Sequence, residues 1–227
     1  MHFATLLFPG FEALDVFGSL EVLNVLSAEK QIYLSLLASS LAPVSTRSPD
    51  PAAHQAGSIC AQEVLPTGTF ADFLKDAPAP PDSAKGQIDV LVVPGGAGTR
   101  FPHTIDPVID FVRGIAPSVK YIMSVCNGAG VLARAGVLDG RRATTNKMLW
   151  GPTTALRGEV RWVREARWVA DGNVWTSSGV SAGIDMMLAF VRDIHGKDVA
   201  SGIAQEIEYV WDEEEDGTRD PFAFAAV

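Results

Sequence analysis

Residues 120–136 read KYIMSVCNGAGVLARAG, and this stretch decides the fold. Residues 120–126 form a short apolar run of the kind that makes a strand buried on both faces. Residues 127–135 follow at once with small residues and helical spacing, and Gly136 is positioned to close that helix as a left-handed cap. A buried strand turning directly into a helix is half of a β-α-β unit. Cys126 stands at the turn, in the pattern small-x-nucleophile-x-small of a nucleophile elbow, here in cysteine form. The turn is sharp, so Gly128 and Ala129 leave room for a strained backbone. The helix that follows points free N–H groups and a positive dipole end at the sulfur. Both features favour thiolate and are expected to pull the thiol below its usual pKa of about 8.5. The bland alternative is an inert core cysteine.

Similar units extend in both directions. Residues 3–8 (FATLLF) read as a buried strand ending at Pro9-Gly10, residues 13–27 as a helix, and residues 32–38 as a second strand. Short strands are expected near 43–47 and 58–64. Residues 88–93 (IDVLVV) read as a strongly apolar strand ending in Pro94-Gly95-Gly96, followed by a helix over 106–116. Beyond the elbow come a short strand at 141–146 and a helix at 146–156. A hairpin is expected from 160–165 and 167–177, turning at Asp171-Gly172-Asn173, then helices near 181–195 and 197–210. Repeated β-α-β units with near-continuous apolar strands imply a mostly parallel central sheet with helices on both faces. One domain is expected over 1–227, with a Pro-, Ser- and Asp-rich surface loop at 75–87 and an acidic C-terminal segment at 212–227.

Composition narrows the function. The chain has 227 residues, 47% hydrophobic and 20% charged, and a formal net charge of -9. That balance disfavours nucleic acid, whose binding rests on Lys and Arg neutralising phosphates. No apolar run approaches the ~20 residues needed to cross a bilayer, and the N-terminus lacks the basic and cleavage features of a signal peptide. With two cysteines, Cys60 and Cys126, a disulfide framework is not expected, and a reducing cytoplasmic setting follows. No paired-His spacing or phosphate cradle appears, so neither a metal nor a cofactor is expected.

In open parallel sheets ligands bind beyond the carboxyl ends of strands. Three such ends carry candidates: the first with Glu12 and Asp15, the second with Gly95 and Gly96, the third with Cys126 and Asn127. Backbone N–H groups at Gly95, Gly96 and Asn127 are expected to stabilise negative charge on a substrate. Read alone, Asp15 is a helix-start residue. Beside Cys126 its carboxyl would be protonated and able to pass a proton to substrate, with Glu12 competing for the role. Asp185 opens a later helix and either reaches the site or caps. His103 is the one histidine expected near this end of the sheet.

Taken together, LLFPGFEALDVFG, DVLVVPGG, SVCNGAGVLARAGVLDGRRATT and SSGVSAGIDMML resemble the ThiJ/PfpI superfamily over nearly the whole chain. The resemblance implies a flavodoxin-like three-layer α/β sandwich of the class I glutamine amidotransferase type, a nucleophilic Cys126, and a homodimer. The chain looks most like the isocyanide (isonitrile) hydratase subgroup, which carries an Asp after the first strand, at Asp15, and shares the GRRATT and AGID segments. Asp185 carries over with the latter as a site residue. Two departures stand out: Asn127 where bacterial hydratases have Thr, and Asn146 where they have His. The resemblance implies a cofactor-independent lyase acting on a small molecule, forming a thioimidate at Cys126 with Asp15 as proton donor and water activator, and releasing an N-formamide. The rivals are a glyoxalase- or amidase-like cysteine enzyme acting on small carbonyl compounds, and a redox-sensing or protective protein in which Cys126 is oxidised.

Overall fold

Every residue of His2–Leu6 and of Val90–Val93 is buried, so these strands need cover on both faces. The computed structural model, which describes residues 1–54, 56–57, 60–74, 87–211, 217 and 219–224, supplies that cover. In chain order the elements are β1 (His2–Leu6), α1 (Ala13–Leu26), β2 (Tyr33–Ala38), β3 (Val44–Ser45), β4 (Glu63–Val64), β5 (Gly68–Thr69), β6 (Val90–Val93), α2 (Pro102–Ile115), β7 (Tyr121–Ser124), α3 (Gly128–Arg134), β8 (Arg142–Ala143), α4 (Trp150–Thr154), β9 (Arg161–Trp162), β10 (Trp168–Asp171), β11 (Val174–Ser177), α5 (Ala182–His195) and α6 (Lys197–Glu206).

The central sheet has seven strands in the order β10-β11-β7-β6-β1-β2-β5, and every neighbouring pair is parallel except β10–β11. From β1 the chain moves through α1 to β2; from β6 it moves through α2 in the opposite direction, to β7. Right-handed crossovers in opposite directions put their helices on opposite faces. Accordingly α1, α5 and α6 pack on one another, and α2 packs with α3. The direction reverses between β1 and β6, and their carboxyl ends diverge into a crevice. The β6–β7 register pairs Val93 with Ser124, so the third rich strand end lies level with the second. One contiguous core, including Phe3, Leu6, Leu91, Phe111, Met123 and Phe190, fills both layers.

Several expected elements differ in extent. Strand β7 stops at Ser124, because Val125 and Cys126 already belong to the elbow. Helix α2 starts at Pro102, a residue suited to a first helical position because its missing N–H has no partner there. The helix expected at 146–156 is only Trp150–Thr154. Its start is delayed because the Asn146 side chain takes the Leu149 N–H at 3.0 Å and forms a turn instead. The hairpin is β10–β11 alone, with Gly172 at φ +63 in its turn. The 160–165 stretch does not join it; β9 instead pairs in parallel with β8. Helix α6 ends at Glu206 rather than near 210. Most of the 75–87 loop and residues 212–216, 218 and 225–227 of the acidic segment lie outside the described residues.

Candidate active site

Cys126 adopts φ +57, a left-handed backbone that a side chain tolerates only under strong constraint. The constraints come from both flanks. Val125 N–H donates to Val93 O at 3.0 Å, and Thr145 Oγ1 donates to Cys126 O at 3.0 Å. Residue 128 then passes directly beneath the end of β6. A Cβ there would lie 2.4 Å from Val93 O, so only glycine fits. Strain in the elbow is thus held by the sheet.

The first-loop acid meets the elbow through Gly95. Asp15, in the first turn of α1, is fully buried. Its Oδ2 accepts the Gly95 N–H at 2.8 Å, while Oδ1 is buried without a hydrogen-bond partner. Burial, aided by the nearby charge of Glu12, pushes Asp15 up to about 8 against the pull of the Gly95 N–H. Asp15 is therefore a neutral carboxylic acid at pH 7. Glu12, its competitor from the same loop, is exposed.

Cys126 is 6% exposed. Its Sγ accepts the Asn146 Nδ2–H at 3.1 Å. The expected lowering of the thiol is not what its surroundings produce. Burial and the charge of Asp15 push Cys126 up to about 12, and the Asn127 backbone N–H and the Asn146 amide only partly oppose them. The seven-residue α3 begins beneath a sulfur that is almost wholly desolvated, and desolvation of the charged form outweighs a terminal dipole. The resting pair is a thiol beside a carboxylic acid.

The expected charge-stabilising donors are largely occupied. Gly95 N–H holds Asp15, and Gly96 N–H donates to Asn127 Oδ1 at 2.8 Å. The Asn127 amide also donates to Thr99 Oγ1 at 2.8 Å, so its side chain ties the elbow to the loop after β6. These glycines hold the two side chains in place, and they have no free N–H to offer a substrate. Of the three expected donors, the Asn127 N–H is the one directed at the sulfur.

Asp185 does not join the thiol. Its Oδ2 accepts Arg167 Nε–H at 2.5 Å and its Oδ1 accepts the Tyr209 hydroxyl at 3.0 Å, a partly buried pairing that ties α5 to the residue before β10 and to the segment after α6. His103 is exposed and packs edge-on to Phe101. The role of Asn146 as the sulfur's side-chain donor is not apparent in the sequence; the available signal is an Asn four residues before a helix start, where its side chain can take the N–H of the residue that precedes the helix. Among the described residues no cluster of His, Cys, Asp and Glu is placed to hold a metal ion. No helix among them is long and apolar enough to cross a membrane.

Two cavities flank the elbow, one reaching it through each asparagine. One, of about 470 Å³, is lined by Thr99, Asn127, Leu149 and Pro152. The other, of about 440 Å³, is lined by Asn146 together with Leu14, Met148, Arg167, Val180 and Phe222.

The sequence profile of the DJ-1/PfpI family matches residues 2–193. The chain is 32% identical over 204 residues to an isonitrile hydratase of Pseudomonas putida, covering 90% of this chain and 76% of that one. It is 33% identical over 96 residues to a deglycase of Pyrococcus horikoshii, covering 42% of this chain and 55% of that one. A crystal structure of a ThiJ/PfpI family protein from Pseudomonas syringae superposes with a TM-score of 0.71 at 26% identity, covering 93% of this chain and 76% of that one.

Proposed function

The chain belongs to the DJ-1/PfpI family, and from that premise we propose that it is a cofactor-independent cysteine enzyme that hydrates an isocyanide to an N-substituted formamide. The observation that carries the reading is the Asp15 carboxyl. One oxygen is pinned by Gly95 and the other is buried and unpartnered, in a carboxyl group close enough to the Cys126 sulfur for its charge to act on the thiol. An unpaired buried carboxyl group costs stability, and a substrate that accepts a hydrogen bond from its O–H relieves that cost while standing where it can receive the proton.

Both groups begin protonated. The Cys126 sulfur bonds to the terminal carbon of R–N≡C. Asp15 delivers its proton to that same carbon while the thiol proton passes to the carboxylate, leaving the thioimidate R–N=CH–S–Cys126 and a restored carboxylic acid. Water then adds to the CH carbon. The acid gives its proton to nitrogen and takes one from the water. The C–S bond breaks as the new hydroxyl proton moves to sulfur, and R–NH–CHO leaves. One water is consumed and no electrons change hands. The Asn146 amide and the Asn127 N–H steady the sulfur as charge develops on it.

The test is turnover of cyclohexyl isocyanide with formation of N-cyclohexylformamide followed by chromatography. Formamide should appear with the native protein and vanish in Cys126→Ala and Cys126→Ser. Methylglyoxal consumed with the isocyanide untouched overturns the reading in favour of chemistry on small carbonyl compounds.

A further inference from the structure

The C-terminal stretch 219–224 lies as a strap along 164–166. Arg219 bridges Ala166 in antiparallel fashion, Asp220 N–H donates to Glu165 O at 2.7 Å, and Arg164 Nε–H donates to Ala223 O at 2.6 Å. After the Arg219 bridge the strap closes into a turn, with Ala223 N–H donating to Asp220 O at 3.0 Å and Phe222 N–H to Asp220 Oδ1 at 2.9 Å. Asp220 and Phe222 both line the cavity of about 440 Å³ that contains Asn146. Asp220 is buried against Lys147, the residue after Asn146, at 3.7 Å. Lys147 Nζ also donates to Thr144 Oγ1, Thr145 O and Ala166 O, and lies over the Trp150 ring. The latch thus roots the strap in the same loop that presents Asn146 to the sulfur. Phe222 is 62% exposed and stands at the rim, facing Leu14, Met148 and Val180.

We propose that this cavity is the subsite for the substrate's substituent, that it takes a bulky apolar group such as a cycloalkyl or aryl ring, and that Phe222, held by the Lys147–Asp220 latch, sets the size that passes to Cys126. The proposal rests on the reaction proposed above for the chemistry, but the subsite itself stands on geometry. Leu14, Met148, Val180 and Phe222 supply apolar walls beside the neutral polar side chains of Asn146, Ser178 and Ser181, and the charges there are already paired: Arg167 with Asp185, and Lys147 with Asp220. A charged substituent would find no free counter-ion there, whereas an apolar one loses water from its whole surface. The volume suits a ring of six to ten heavy atoms with water displaced around it.

The experiment separates the subsite from the reaction. On a Cys60→Ser background, Cys126 alkylation by N-phenylmaleimide and by iodoacetamide is followed by peptide-resolved mass spectrometry. The sulfur adds across the maleimide double bond, and the proton ends on the neighbouring carbon, so no turnover is needed. In Phe222→Ala the ratio of the bulky to the small reagent's rate should rise about tenfold, the scale on which one apolar pocket contact discriminates. Phe222→Trp should lower it. Lys147→Met, which keeps the stem and frees the strap, should shift the ratio in the same direction as Phe222→Ala, with circular dichroism confirming a folded chain. A ratio that stays constant across Phe222→Ala and Phe222→Trp, with Cys126 still reactive in both, overturns the proposal. If the native protein turns over no isocyanide but the ratio moves as stated, the subsite stands and the assigned reaction fails. Where turnover occurs, kcat/KM for aryl over methyl isocyanide should follow the same order.

Discussion

Asn146 gives its Nδ2–H to Cys126 Sγ at 3.1 Å while its own Oδ1 is held by the Leu149 N–H at 3.0 Å. The second bond decides the first: with Oδ1 committed to the start of α4, only the NH₂ side of the amide remains to face the sulfur. Asn146 is therefore a preset donor that favours charge on sulfur, in a pocket whose burial disfavours it. Asn146→Ala should slow Cys126 alkylation at pH 8 by about tenfold or more, since hydrogen bonds to charged groups contribute roughly 1.5–3 kcal/mol. Asn146→Asp puts a carboxylate against the sulfur and should slow it further. Equal rates in all three proteins would remove Asn146 from the account.

Asp15 predicts two pH effects of definite sign. Its carboxyl ionises near 4 when unfolded and near 8 when folded. The folded state therefore binds the extra proton throughout that window, and stability falls by ~1.4 kcal/mol per pH unit as pH rises through it, then levels off. Asp15→Asn mimics the neutral acid and keeps an oxygen for the Gly95 N–H, so it removes this loss. Its melting temperature should match the native protein's near pH 4 and exceed it by an increasing margin up to pH 8. Above pH 8 the native Asp15 carries charge and suppresses ionisation of Cys126, so the variant's thiol should alkylate several-fold faster there while formamide production collapses. Parallel melting curves across the whole pH range would rule out a buried, proton-holding Asp15.

The elbow is legible in the sequence because its requirements are compositional: an apolar strand, a cysteine, then residues small enough for φ +57 at Cys126 and for the contact of Gly128 with β6. Asp15 is legible as a candidate because it begins α1 at a strand's carboxyl end. What cannot be read is which hydrogen bonds each group makes. Gly95 and Gly96 look like free donors in sequence, yet the side chains of Asp15 and Asn127 reach them from positions 80 and 31 residues distant. The thiol's direction of shift escapes the sequence for a related reason: a helix start is local and visible, whereas the desolvation that outweighs it is contributed by elements from the whole chain. The register of β8 with β9, and the strap against 164–166, are likewise pairings between short segments with no periodicity of their own.

Gly128→Ala tests the elbow's geometry without touching its chemistry. The added methyl would meet Val93 O at 2.4 Å and Pro94 O at 2.8 Å, both backbone atoms that cannot turn aside. The variant should lose about 3 kcal/mol in urea denaturation, the upper range for overpacking. Gly158→Ala, where a Cβ meets nothing within 4 Å, serves as the control and should change little. Similar losses in both would mean that the close approach beneath β6 is not a constraint.

Asp185 and Asp15 are both buried carboxyl groups at helix starts, and they should separate cleanly in experiment. Asp185 is paired with Arg167 and Tyr209; Asp15 holds the Gly95 N–H with one oxygen and leaves the other bare. Removing one member of a buried ion pair leaves the other charge without compensation and costs roughly 3–5 kcal/mol. Asp185→Asn should therefore lower stability by that order at pH 7, where Asp15→Asn raises it. The fraction of the Asp185→Asn protein that remains folded at low temperature should keep Cys126 alkylation within about twofold of native, because nothing that touches the thiol has changed. Loss of thiol reactivity in folded Asp185→Asn would tie Asp185 to the behaviour of the thiol.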